Sequence, residues 1–414
     1  MMAGKRILML EGGPEKTMLQ APPAVFTSRT CALSPATRRL LESFGAWQNI
    51  EDMRYQEVKR MQVWDSSSDS MIAFNHKDLS NDLAYIVENC IIQDAILKQL
   101  ETIEDRVSVK YDCRVQAYRL PSVNPNSDSQ HLAEVHLSNG ERLQTRLLIG
   151  ADGFKSLLRE TAKIHTVNWD YDQLGVVATV EVAEEMENNV AWQRFLKTGP
   201  IALLPLSPKH SNLIWSTSTK NGRNLLQLPH DSFVDAINRA FWTEDDKNPV
   251  ADYASKTFDS LLTGVGLDGS SSQQLPPAVV GIEMSTRGGF PLGLCHATHY
   301  VGNRIALIGD AAHRVHPLAG QGVNLGFGDV TCLAEKLSNA VSNGCDLGAI
   351  DHLMEYETER QRQNVPVMLT VDALSRMYGS SFTPIVLART LGLQAVNALS
   401  PVKKFFMDNA AAAS

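Results

Sequence analysis

The 414 residues are enough for two domains with sizeable cores, and at 43% hydrophobic and 20% charged they read as a soluble globular protein. A net charge of -8 gives no case for nucleic-acid binding. No stretch approaches the ~20 apolar residues that a spanning helix needs.

Six scattered cysteines (Cys31, Cys90, Cys113, Cys295, Cys332 and Cys345) form no C-x-x-C pair, so free, mostly buried thiols in a reducing compartment are expected. The opening MMAGKRILML enters a strand too soon for a secretory signal, and it is not Arg- and Ser-rich like a transit peptide.

In chain order, Lys5 to Leu10 predicts a strand ending at Glu11, with Gly12-Gly13-Pro14 as its turn. An acidic residue at such a strand end hydrogen-bonds ribose in a nucleotide-binding sheet. Taken alone, Glu11 is more simply a solvated side chain. A dinucleotide-binding domain opens with a G-x-G-x-x-G strand-turn-helix unit of ~30 residues. No such unit precedes Glu11, and Gly12-Gly13 does not replace it. The absent strand would lie centrally in the sheet.

Arg29 precedes a helix capped near Ser34 with Pro35 at its first position. Arg60 to Asp65 and Ala84 to Asn89 then lead to an amphipathic helix over Ile91 to Leu100. Strands follow at Val107 to Tyr111 and Val115 to Tyr118, then a polar loop over Pro121 to Gln130. Ala133 to Leu137 and Arg142 to Gln144 predict a hairpin around Asn139-Gly140. Leu147 to Gly153, LLIGADG, predicts a buried strand ending at Asp152-Gly153, with a helix by Ser156.

The middle, 166–290, alternates as antiparallel strands do, with a helix over Asp231 to Phe241. Trp192 and Trp215 read there as core. Gly264 to Gln274 is a Gly/Ser-rich loop. Helices are expected at Val330 to Ala340 and Ile350 to Asn364, with Glu355, Glu357, Glu359, Arg360 and Arg362 on one solvated surface. Met368 to Phe406 carries apolar residues at helical spacing; packing is the favoured reading and a membrane or partner surface the sharper one. The tail, Asp408 to Ser414, reads as disordered.

The densest stretch is Arg304 to Asp329, RIALIGDAAHRVHPLAGQGVNLGFGD. A short strand reaches Gly309 and Asp310; Pro317 and the turn Gly320-Gln321-Gly322 then lead into a helix near Asn324. Asp310 can accept hydrogen bonds from ligand hydroxyls. Gly320 and Gly322 let backbone amides approach a ring, and the helix N-terminus favours negative charge there. By spacing alone, such glycines serve a turn as often as a ligand.

Taken whole, that string resembles the second FAD motif of class A flavin hydroxylases, the aromatic hydroxylases related to p-hydroxybenzoate hydroxylase. LLIGADG resembles their Asp-Gly motif. SFGAW, MRY, RMQVWD, YIVEN, ENNVAWQRF, GPIALLPLS and YETERQR narrow the resemblance to the UbiH-type flavin monooxygenases of mitochondrial ubiquinone (coenzyme Q) biosynthesis, from Lys5 to about Pro401. The resemblance implies an α/β protein. A Rossmann-like FAD-binding domain (1–165 and 291–370, first βα unit missing) would hold an inserted antiparallel substrate sheet (166–290), with a C-terminal helical region and tail (371–414).

It further implies FAD as cofactor. Glu11, Arg29, Asp152, Gly153, Gly309, Asp310, Pro317, Gly320, Gln321, Gly322 and Asn324 are the residues that would hold it. The implied reaction is hydroxylation of 4-hydroxy-3-polyprenylbenzoate at C5, or of a 2-methoxy-6-polyprenylphenol, through a flavin C4a-hydroperoxide. Ferredoxin and ferredoxin reductase would supply electrons. The site would be peripheral, on the matrix side of the mitochondrial inner membrane, among other coenzyme Q biosynthesis proteins. No metal and no catalytic side chain is assigned; His313 and His316 could titrate, and His313 reads as structural. Two other readings stand beside this one: a non-catalytic subunit of that complex that holds FAD poorly, and a flavin reductase on the same fold.

Overall fold

A computed structural model describes residues 5–68, 70–75, 81–121, 132–183, 187–243, 247–264 and 274–398. The loops expected at 121–130 and 264–274 lie almost wholly outside these, and the tail lies entirely outside them.

Ile7–Leu10 forms a strand parallel to Val107–Lys110, with Ile7 opposite Val107. A second parallel pair joins Leu148–Gly150 to Ile305–Leu307, which also pairs antiparallel with Val301–Gly302. No ladder joins the two parallel pairs among the described residues. Ile7, Leu8, Met9 and Ile149 are all exposed. Consecutive strand residues point to opposite faces, so Ile7–Leu10 is open on both.

The helix Pro35–Ser43 begins where its sequence requires. The Ser34 hydroxyl accepts from the Thr37 N–H at 3.1 Å, and Pro35 takes the first turn, where its missing N–H costs nothing. The hairpin of Ala133–Leu137 and Arg142–Thr145 turns at Asn139-Gly140 as its sequence predicts.

The largest sheet has nine strands. Its spine is Thr166–Val182, flanked antiparallel by His210–Ser218 and Gly288–Ala297. Trp192 and Trp215 are buried in its core with Trp64, Phe233 and Phe241. The sheet is wider than 166–290. Arg60–Asp65 joins it in parallel with Val190–Leu196, Met71–Asn75 forms its edge, and the sheet is therefore mixed. Backbone edges pair wherever a donor row is free, so a segment distant in sequence completes the ladder.

Two helical expectations change. Gly322–Ser342 is one helix of 21 residues, and Ile350–Gly379 is one helix of 30 residues running through Pro366. Pro366 is exposed, so the missing N–H and displaced carbonyl fall on the solvated side. Leu353, Tyr356, Arg360, Asn364, Met368 and Val371 bury one continuous face across it. The polar surface expected along that helix is also only partly solvated: Glu357 is 5% exposed and Arg360 2%. All six cysteines are free, but only Cys295 and Cys332 are fully buried and Cys345 is exposed. Among the described residues no helix is long and apolar enough to cross a membrane.

Candidate functional site

Two loops leave the carboxyl ends of neighbouring parallel strands. Gly150 pairs with Leu307, and the Ile308 N–H reaches the Gly150 carbonyl at 3.0 Å. Asp152-Gly153 follows the first strand, and Gly309-Asp310 follows the second. This end of adjacent parallel strands is where open α/β sheets bind ligands. Asp152 lies exposed, with one carboxylate oxygen on the Leu158 N–H at 3.3 Å. Arg159, buried, ties the two loops together: it donates to the Phe154 carbonyl at 2.6 Å and to the Ala311 carbonyl at 2.7 Å.

Gly309 has φ +57°, and a Cβ there would meet nothing within 4 Å. The chain therefore turns in the left-handed region and leaves its backbone open. Asp310 next to it is open to solvent. Partial enclosure raises its carboxyl above the ordinary range, against the pull of Arg314 and His313. Pro317–Ala319 forms a single 3-10 turn ending at Gly320, φ +61°. The helix Gly322–Ser342 starts directly after Gln321. Its first N–H groups have no intrahelical acceptor and carry partial positive charge. Gln321 Oε1 is buried without a hydrogen-bond partner among the described residues.

His316 holds this turn against the large sheet. Its Nδ1 accepts from the Leu318 N–H at 3.1 Å, so Nε2 carries the proton and donates to Gln173 Oε1 at 3.1 Å. Burial pushes its pKa down to about 4, which the Asp372 carboxylate only partly opposes. His316 is therefore neutral at pH 7. His313 is buried against Asp329, consistent with a structural part.

The other anticipated residues are more scattered. Glu11 closes its strand and accepts from the Gly13 N–H at 2.7 Å. Arg29 is exposed, and its guanidinium has no partner among the described residues. Asn324 is 2% exposed, and its amide is fully engaged. It donates to the Ala32 and Gly320 carbonyls and accepts from the Ser34 N–H and the Thr37 hydroxyl. Sequence reasoning missed Arg159, Gln173 and Asp329, which act through partners distant in the chain; Asp329 was visible only as the last residue of its motif.

The arrangement suits a ligand with a hydroxylated chain and an electron-rich, anion-bearing ring. A family model described as FAD binding domain matches residues 2–255 and 276–368. The ubiquinone biosynthesis monooxygenase COQ6, mitochondrial, of Danio rerio is 50% identical over 406 residues, 98% of this chain and 84% of that protein. Its Homo sapiens counterpart is 49% identical over 403 residues, 97% and 86% of the two chains. That of Saccharomyces cerevisiae is 35% identical over 407 residues, 94% and 83%. The crystal structure of pqsL, a probable FAD-dependent monooxygenase from Pseudomonas aeruginosa, matches with TM-score 0.67 at 21% identity, covering 94% of this chain and 93% of that one. The p-nitrophenol 4-monooxygenase PnpA from Pseudomonas putida DLL-E4 matches with TM-score 0.67 at 13% identity over 98% and 91%. These structural likenesses establish the fold.

Proposed function

This chain belongs to the mitochondrial ubiquinone biosynthesis monooxygenase family and carries its FAD binding domain, and from that premise we propose that it hydroxylates 4-hydroxy-3-polyprenylbenzoate at C5. It is an FAD-dependent monooxygenase. A 2-methoxy-6-polyprenylphenol is a further substrate of the same chemical class.

FAD, when bound and reduced, supplies the oxygen activation that delivers hydroxyl to an electron-rich ring. The residues fit its flavin end. Asp310 would accept from the ribityl hydroxyls. The amides of Gly320, Gln321 and Gly322, at the positive end of their helix, would hold negative charge on the pyrimidine side. Pro317 would lie against the ring, and Asn324 would contribute its backbone. Asp152, Gly153 and Arg29 would line the approach, and Glu11 would take the ribose. The unpartnered Gln321 Oε1 and the open backbone at Gly309 support this fit.

The observation that carries the reading is the Gly150–Leu307 register, which delivers both Asp-Gly and Gly-Asp loops to one end of one sheet. Ferredoxin and its reductase supply the electrons on this reading. The enzyme works peripherally on the matrix side of the inner membrane with other coenzyme Q biosynthesis proteins. A second reading, a non-catalytic subunit of that complex, draws on the exposed Ile7–Leu10 strand.

The test supplies FAD, reduced ferredoxin, oxygen-18 gas and a short-chain 4-hydroxy-3-prenylbenzoate. One labelled oxygen in a C5-hydroxylated product supports the proposal. Flavin reoxidation without product would favour a reductase, and no quenching of FAD fluorescence on titration would favour the subunit.

A further inference from the structure

We infer that Asp329 is a positioning residue for the flavin site: its buried carboxylate clamps the Gly309 amide and so sets where Asp310 projects. This rests on the flavin-binding reading above. Asp329 sits one helical stretch beyond Gly322, on the helix whose N-terminus forms the other half of the site, and is fully buried.

Each oxygen accepts two hydrogen bonds. Oδ2 takes the Gly309 N–H at 2.9 Å and His313 Nε2 at 2.6 Å. Oδ1 takes Arg360 Nε at 2.8 Å and Asn364 Nδ2 at 3.1 Å. Four donors saturate the carboxylate. Arg360 and Asn364 come from the Ile350–Gly379 helix, and Arg360 also donates to the Leu325 carbonyl at 3.1 Å. The Gly-Asp turn, the helix N-terminus and the outer helix are thereby fastened at one point. Asp310 and the Gly320–Gly322 amides hold a constant relative position because Asp329 links the turn to the helix that carries the amides.

Asp329→Asn preserves volume but reverses one end. The NH2 settles on the side of Gly309 and His313, because the Arg360 guanidinium cannot become an acceptor whereas the His313 ring can. His313 can move its proton to Nδ1; the Gly309 N–H has no such alternative. The isosteric change therefore releases the turn.

The test follows hydrogen exchange of the peptide spanning Ile305 to Ala312 in FAD-free protein, and FAD affinity by flavin fluorescence. Asp329→Asn should speed exchange there, with strands of the large sheet unchanged, and raise the FAD Kd about tenfold, the loss of one hydrogen bond in the site. Asn364→Ala removes a bond on the other oxygen and should leave exchange at Gly309 and the Kd within about twofold. Unchanged exchange at 305–312 in Asp329→Asn, or an equal Kd rise in Asn364→Ala, overturns the inference. Should Asp329→Asn not fold, the wild type decides: Gly309 to Ala312 must exchange as slowly as the Gly322–Ser342 helix, and exchange at the rate of an exposed loop overturns it. Wild type that binds no FAD counts against the flavin-binding reading, while the exchange arm still judges the clamp.

Discussion

Gly150 and Leu307 face each other as register partners in adjacent parallel strands. Asp152 and Asp310 leave those strands within a few residues, so loops far apart in sequence emerge side by side. Arg159 then bonds a carbonyl in each loop. The site is thus built from a backbone register and one guanidinium.

Replacing Arg159 by Met should uncouple the loops. It strands the Phe154 and Ala311 carbonyls, at about 1–3 kcal/mol for each that stays unsatisfied. FAD affinity should fall about tenfold and the thermal midpoint should drop. Arg159→Lys should rescue little, since an ammonium lacks the planar fork that reaches both carbonyls. Fluorescence titration and scanning calorimetry check both.

His316 predicts a pH dependence. Its folded pKa, about 4, lies below the ordinary 6.5. The unfolded chain therefore binds the proton more tightly, and protonation favours unfolding. Its contribution is fully present above pH 6.5 and is lost as pH falls toward 4, by up to about 3 kcal/mol. The facing groups are Asp372, Tyr171 and Gln173. The thermal midpoint of His316→Asn should be less steep than wild type over that window; parallel curves would remove His316 as the cause.

Asn324→Leu should destabilise without altering the extent of unfolding. Four groups each lose one hydrogen bond: the Ser34 N–H, the Thr37 hydroxyl and the Ala32 and Gly320 carbonyls. A loss of about 2–4 kcal/mol is expected where water cannot enter fully. The denaturant midpoint should fall at unchanged slope.

Arg389 and Asp65 form an ion pair at 2.7 Å, each almost wholly buried. It fixes the Thr383–Ala398 helix to the Arg60–Asp65 strand. Arg389→Met alone leaves a buried carboxylate and should cost about 3–5 kcal/mol. Adding Asp65→Leu should recover most of that, as a double-mutant cycle by denaturant titration would read.

Much was legible along the chain because its causes are local. The Ser34 cap with Pro35, the Asn139-Gly140 hairpin and the strand-to-turn steps at Gly150 and Gly309 each depend on neighbours within a few residues. The Arg304 to Asp329 string carried the proposed flavin site for the same reason: its turn, glycines and helix start are consecutive.

Other features could not be read locally. Glu357 and Arg360 have the composition of a solvated helix face, yet both are buried. Glu357 accepts the Tyr300 and Val301 N–H groups, and Arg360 meets Asp329. Pro366 resembles a helix end, yet its helix continues because the opposite face stays packed.

The sequence by itself determined most of the local elements, the motif and the family, because propensity, capping and turn chemistry act over a few residues. Only the tertiary structure decided which charges are buried, which loops Arg159 joins and what Asp329 holds. A buried charge is tolerated only where folding brings it donors or a counter-charge, and those partners come from distant parts of the chain.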